Sequence, residues 1–159
     1  RFTPDLVEKY MQRCLFYGIW PSMFSHNASE DPYWRNPDYY NRDRHLFRRY
    51  IPLVRRVAEA GWEPVTHATS SDADVWVERF GPGRDGAVYL TVFNSASGAR
   101  TAVVRGDAAQ LRCSDGGQVI DIVAGSAGPA DWHGGTLSFE VIVGPEQVRV
   151  LQMHPPADE

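Results

Sequence analysis

The sequence predicts an α+β protein: a helix–strand–helix segment to about residue 66, a polar linker over 67–74, and an antiparallel β-sandwich over 75–159. Three observations predict it. Apolar residues recur at three- and four-residue spacing in the first part; they alternate with a period of two after residue 74; and short Gly- and Pro-containing links separate the later apolar runs.

Thr3 is the expected N-cap of the first helix, with Pro4 at the first helical position and Asp5 beside the positive end of the helix dipole. Leu6, Val7, Tyr10, Met11, Cys14 and Leu15 share one face, which carries the helix to about Leu15. Phe16 to Ser25 follows as a short aromatic and apolar run. Gly18 and Pro21 speak against its being helical, so Phe16 to Trp20 is expected as a strand buried on both faces that delivers Ser22, Ser25 and His26 to its C-terminal edge. Asn36 and Pro37 can cap a short turn, and Asp43 can start a second helix with Leu46, Phe47, Tyr50, Ile51, Val54, Val57 and Ala58 as its apolar stripe. Pro52 should kink or break it near Ile51, and Gly61 should end it. Arg42, Arg44, Arg48, Arg49, Arg55 and Arg56 alternate with the stripe, as the wet face of an amphipathic helix does.

Six later segments read as strands: Val75 to Phe80, Ala87 to Asn94, Arg100 to Arg105, Val119 to Val123, Thr136 to Val143 and Gln147 to Met153. Their links are too short for crossovers, so the pairing should be antiparallel. Val88, Leu90 and Val92 would face one side, with Tyr89, Thr91 and Phe93 on the other. Two facing sheets are expected to bury both sets. Trp132 and His133 are expected in a turn, as a loop plug or a ligand contact.

At 159 residues, 43% apolar and 23% charged, the chain has the composition of a globular protein of one domain or two small ones. A formal charge of −4 and a pI of 5.7 provide no general attraction to nucleic acid or anionic lipid. No apolar run nears the roughly 20 residues of a membrane-crossing helix, and no leader pattern opens the chain. Cys14 and Cys113 stand far apart in dissimilar contexts; Cys14 is expected as a small buried side chain, and neither a metal site nor a cofactor is expected. The first residue is Arg1, with a helix starting soon after, so a longer polypeptide is expected.

The stretch from Ser25 to Tyr40 mixes three tyrosines and Trp34 with Asn, Asp, Glu, Arg and His. Such a loop suits a sugar ring, because aromatic faces cover its C–H surface and neighbouring polar groups take its hydroxyls. Trp20, His26, Tyr33 and Trp34 are the candidates for these contacts. The same loop could instead pack over the end of the domain, anchored by Trp34. His26 could serve as a general base, a metal ligand or a hydrogen-bonding loop residue, and no second His stands at ligand spacing. Glu30 and Asp31 are adjacent, so they do not by themselves make a glycosidase pair across a scissile bond.

Taken together, Phe-Tyr-Gly-Ile-Trp-Pro-Ser-Met-Phe, Arg-Asp-Arg-His-Leu-Phe-Arg-Arg-Tyr-Ile-Pro-Leu, Ala-Gly-Trp-Glu-Pro-Val, Tyr-Leu-Thr-Val-Phe-Asn and Val-Gly-Pro-Glu-Gln-Val-Arg-Val-Leu resemble the final part of a (β/α)8-barrel glycoside hydrolase with its C-terminal β-sandwich. The resemblance implies that residues 1–66 are the last helix–strand–helix portion of the barrel, with Phe16 to Trp20 its last strand and Arg44 to Ala60 its last helix. A whole barrel takes about 250 residues, so the catalytic carboxylates are expected upstream and this chain alone is expected to be inactive. It implies substrate-lining roles for Trp20, Ser25, His26 and Trp34. The expected partners are an oligosaccharide or glycoside and either the N-terminal barrel portion or a partner copy, with no nucleic acid and no membrane. A non-catalytic carbohydrate-binding module and a structural interaction module are the alternatives.

Overall fold

A computed structural model describes residues 3–23, 33–113, 118–128 and 130–154. Two helices, α1 (Pro4–Tyr17) and α2 (Pro37–Ala60), precede ten strands, with a 3-10 turn at Tyr33–Arg35 between them. The strands are β1 (Trp62–Glu63), β2 (Ala68–Ser70), β3 (Val75–Phe80), β4 (Val88–Asn94), β5 (Arg100–Asp107), β6 (Val119–Asp121), β7 (Ser126–Gly128), β8 (Asp131–His133), β9 (Thr136–Val143) and β10 (Val148–Met153). One sheet has the order β1-β3-β4-β10-β6-β7, the other β2-β5-β9-β8, and every pairing is antiparallel. The helices cover the outer face of the six-stranded sheet, so the layers run helix, sheet, sheet.

The register of β4 explains this order. All seven of its residues are buried. Val88, Leu90 and Val92 point into an aliphatic core shared with Ala102, Val104, Leu137 and Val141 of the four-stranded sheet. Tyr89 and Phe93 point the other way, into a core with Met11, Leu15, Phe16, Tyr50 and Val54 of the helices. Thr91, between them, donates its hydroxyl to the Phe16 carbonyl at 2.7 Å. The alternation is as the sequence predicts, but its second face is buried by helices rather than by a facing sheet.

Helix α1 begins as expected, with the Thr3 side chain accepting from the Leu6 N–H. It does not stop at Leu15. Phe16 and Tyr17 are its last residues, and the expected strand over Phe16–Trp20 is absent. Gly18 adopts φ 60°, Gly18 N–H donates to the Leu15 carbonyl at 3.3 Å, and Ile19 N–H donates to that of Cys14 at 3.0 Å. This is a Schellman stop, so Gly18 closes the helix instead of excluding it. Phe16 points into the core against Phe93, with ring centroids 5.4 Å apart. Beyond the cap, the Tyr10 hydroxyl bonds both the N–H and the carbonyl of Ser22, tying the outgoing chain to α1.

Helix α2 starts at the Asn36 cap, whose side chain accepts from the Asp38 N–H, and not at Asp43. It continues through Pro52 to Ala60 without a break. Pro52 is exposed, where water can replace the lost helix bond. The two helices and the sheet meet at Gln12, which donates to the Tyr50 hydroxyl and accepts from Val148 N–H at 2.9 Å; Tyr50 donates to Glu8 at 2.9 Å. Cys14 is buried on α1, as expected, and burial pushes its thiol above its ordinary pKa; both cysteines are free.

The longer strands match the predicted segments closely, and the short β6 falls within the predicted Val119 to Val123, whereas β1, β2, β7 and β8 were not foreseen. Ala68–Ser70, expected within a linker, pairs with β5 as β2. Trp132 and His133, expected in a turn, lie on edge strand β8; the turn is Gly134–Gly135, both with positive φ, and it sets His133 opposite Thr136. The expected turn at Asp115 to Gly117 lies outside the described residues.

Candidate functional site

An aromatic face at the start of α2 is the part of the described structure that best fits ligand contact. The 3-10 turn folds Tyr33 inward and Trp34 outward: Tyr33 is fully buried, whereas Trp34 is 55% exposed. Trp34 leans on Tyr40 (centroids 6.4 Å apart, planes 26° apart) and on Phe47 (5.4 Å), and meets the edge of Tyr33 at 5.0 Å. One side of the indole is therefore braced by rings while more than half of its surface stays open.

A buried polar group fixes this turn. Tyr33 donates its hydroxyl to Asp43 Oδ2 at 3.0 Å, and the Arg42 guanidinium reaches both Asp43 oxygens at 2.7 Å. Arg42 also lies over the Tyr39 ring, 5.4 Å from its centroid. Burial pushes the Asp43 carboxyl up, but the bonds from Arg42 and Tyr33, with the Arg42 charge, outweigh it and hold the carboxyl below its ordinary range. Burial and the bond to Asp43 push the Tyr33 phenol well up. Asp43 is thus a fixed anion that already accepts three hydrogen bonds. It anchors the platform and is not disposed to donate a proton.

No known family pattern matches this sequence, and no curated protein matches it. Solved structures do match its fold. A candidate α-N-acetylgalactosaminidase from Bacillus halodurans C-125 superposes with a TM-score of 0.53 at 18% identity, over 99% of this chain and 32% of that protein. A candidate α-galactosidase from Bacteroides fragilis gives 0.52 at 15% identity, over 96% and 29%. A family 27 β-L-arabinopyranosidase from Geobacillus stearothermophilus gives 0.50 at 15%, over 99% and 32%. The fold is therefore similar to that of the C-terminal domain of such glycoside hydrolases, and the chain spans about a third of their length.

Of the four predicted contact residues, Ser25 and His26 lie outside the described residues, as do Glu30 and Asp31. Trp20 is 53% exposed and makes no ring contact with Trp34. The structure therefore does not bring Trp20 and Trp34 together as a stacked pair. Sequence reading missed the supports, Tyr40, Arg42 and Asp43. Their signal was the Asn36-Pro37-Asp38 cap: starting α2 there puts Tyr40, Asp43 and Phe47 three to four residues apart on one face. Among the described residues no group of three or more His, Cys, Asp or Glu is arranged to hold a metal ion.

Proposed function

We propose that this chain is the C-terminal region of a glycoside hydrolase. In this reading it gives the sugar site an aromatic edge centred on Trp34 and supports the rest of the enzyme through its β-sandwich. The observation that carries the reading is the extent of the fold likeness: helices and both sheets match as one unit over 96–99% of the chain. A sandwich fold shared by chance would not bring the two helices with it in the same order.

The catalytic carboxylates belong to the remaining two-thirds of the polypeptide. One would protonate the departing glycosidic oxygen through an oxocarbenium-like transition state, and the other would act as nucleophile or base. Trp34 would offer its open face to the C–H side of a sugar ring; Ser25 and His26 would supply hydrogen bonds from the same loop. A stacked ring contributes on the order of 1 kcal/mol beyond area burial, so the Trp34 contact tunes binding and is not the source of the chemistry.

The test uses the full-length gene product on aryl α-galactoside, α-N-acetylgalactosaminide and β-L-arabinopyranoside. Turnover on at least one is expected, with none from the 159-residue chain alone. Trp34→Ala in the full-length enzyme should raise KM about fivefold with little change in kcat. A full-length product with neither turnover nor glycan binding would end the reading. Calorimetry gives the second reading its chance: heat with oligosaccharides but no hydrolysis would make the exposed Trp34 face part of a non-catalytic binding module.

A further inference from the structure

We propose that the cleft between the last turns of α2 and the 81–87 link binds a hydroxylated small molecule carrying an oxyanion, an acidic sugar or a sugar phosphate, with Arg56 and Arg84 clamping the anion. The cleft holds about 580 Å3, within the range of small-molecule sites. Arg55, Arg56, Glu59, Arg84, Asp85 and Tyr89 carry its polar lining. It closes on one side because the link comes against the helix: a Cβ added at Gly83 would stand 3.6 Å from Ala60.

The wet face of α2 is mostly occupied, which makes the exceptions informative. Arg42 binds Asp43, Arg44 bonds Asn41, Arg49 binds Glu8 and Arg55 binds Glu59 at 2.8 Å, which leaves Arg48 and Arg56 as the exceptions on this helix among the described residues. Arg56 and Arg84 have no ion-pair or hydrogen-bond partner among the described residues, yet both line the same cleft. Arginines are well suited to clamp carboxylate or phosphate because their N–H groups form a planar fork.

Tyr89 supplies an independent sign. Its ring belongs to the helix-side core and the residue is only 2% exposed, but no described group hydrogen-bonds its hydroxyl, and it lines the cleft. Among the described residues the buried side-chain polar atom without a partner is Arg79 Nε, so the Tyr89 hydroxyl opens to the cleft, where it can donate to a ligand. Burial, followed by the nearby Asp85 charge, pushes its phenol up, so at neutral pH it is a donor to an anion oxygen. Asp85 spends one oxygen on the Ala87 N–H at 3.1 Å, and among the described residues no hydrogen bond is made to its other oxygen. That oxygen and Glu59 can accept from hydroxyls, which is why the ligand is a sugar-sized polyol and not a bare ion.

The site is distinct from the Trp34 face and does not rest on the glycoside hydrolase reading. Sixteen residues of continuous helix part Tyr40 from Arg56, on the order of 24 Å along the axis.

Titration calorimetry of the 159-residue chain with glucuronate, glucose 6-phosphate, inorganic phosphate and glucose tests it. Glucuronate or glucose 6-phosphate should bind, and which one does separates carboxylate from phosphate. Glucose should give no heat, and inorganic phosphate should bind at least tenfold more weakly than the better sugar. Arg56→Ala with Arg84→Ala should weaken binding tenfold or more with an unchanged melting temperature, since both side chains are on the surface. Tyr89→Phe, which keeps the ring in the core, should weaken it severalfold. Absence of heat with both acidic sugars, inorganic phosphate binding as tightly as the better one, or wild-type affinity in the double variant would each overturn the proposal.

Discussion

The two faces of β4 look on to cores of different kinds. Toward the four-stranded sheet the buried filling is Val, Leu and Ala with Met153 and the ring of Phe139, and the β4 side chain that bonds across to that sheet sits at the strand's end, where Asn94 donates to the Val143 carbonyl at 3.0 Å. Toward the helices it is aromatic, with Phe16, Tyr33, Tyr50, Phe80, Tyr89 and Phe93, and is threaded by Thr91–Phe16, Gln12–Val148 and Gln12–Tyr50–Glu8 bonds. Two pleated surfaces interdigitate short branched side chains at a spacing of about 10 Å. A helix over a sheet leaves deeper, less regular gaps, which large rings fill, and its polar bonds set where along the sheet the helix sits. The sandwich core holds by shape along most of β4, with its polar tie at the Asn94 end, whereas the helix-side core is tied by polar bonds at several places.

The sharpest way to break that comparison is to empty each side in turn. Phe16→Ala should cost about 3–5 kcal/mol and Leu90→Ala about 2–5 kcal/mol. If the layers form one cooperative unit, urea unfolding followed by tryptophan fluorescence and by far-UV circular dichroism should coincide in both variants. Separate transitions for Phe16→Ala would show that the helical layer can leave an intact sandwich.

Thr91→Val keeps the shape of the residue and removes only its bond to the Phe16 carbonyl. A loss of about 1–2 kcal/mol is expected, because a buried carbonyl is left unpaired. A neutral result in chemical denaturation would mean that packing alone sets the helix on the sheet.

The acid limb tests the Asp43 anchor. Its carboxyl is held below its ordinary value in the folded chain, so the stabilisation is full above about pH 4 and is lost as pH falls through the lower folded value. Asp43→Asn should be less stable than the parent at neutral pH, and the difference should shrink below about pH 4. Melting curves across pH 2 to 7 decide it; a gap that is constant with pH would remove the ionised carboxylate from the account.

The smallest effect is expected at Glu146, which pairs with Lys9 and Arg13 on the surface. Glu146→Gln should change stability by less than about 0.5 kcal/mol, and less still at high salt. A larger loss in thermal melts would show that ion pairing helps fix α1 on the β9–β10 turn.

The comparison also shows where sequence reading succeeded. Alternation along Val88–Phe93 identified a strand and sorted its side chains correctly between two faces. The run at Phe16 misled, because a few large apolar residues carry no period of their own. Phe16 and Tyr17 end a helix, and the glycine that argued against helix is its stop signal. β1, β2, β7 and β8 are two or three residues long, too short for a pattern; β1, β2 and β8 exist because a longer strand beside them offers free N–H and C=O groups, and β7 pairs with the equally short β6. At the aromatic face, the sequence left Trp34 open between a ligand contact and a packing anchor; the ring is more than half exposed and braced by Tyr40 and Phe47. Asp43 looked like a helix start and is instead the buried anion under that ring.

By itself the sequence determined the amphipathic helices, the Thr3 cap, the longer strands and their antiparallel sense, since each follows from backbone geometry and side-chain spacing within a few residues. Only the tertiary structure decided that helices, not a sheet, cover the outer face of β4, and that Arg56, Arg84 and Tyr89 share one cleft. Those outcomes depend on groups far apart in the chain, 75 residues in the bond from Thr91 to Phe16 and 136 in that from Val148 to Gln12, and no local period encodes which distant surface a given face will meet.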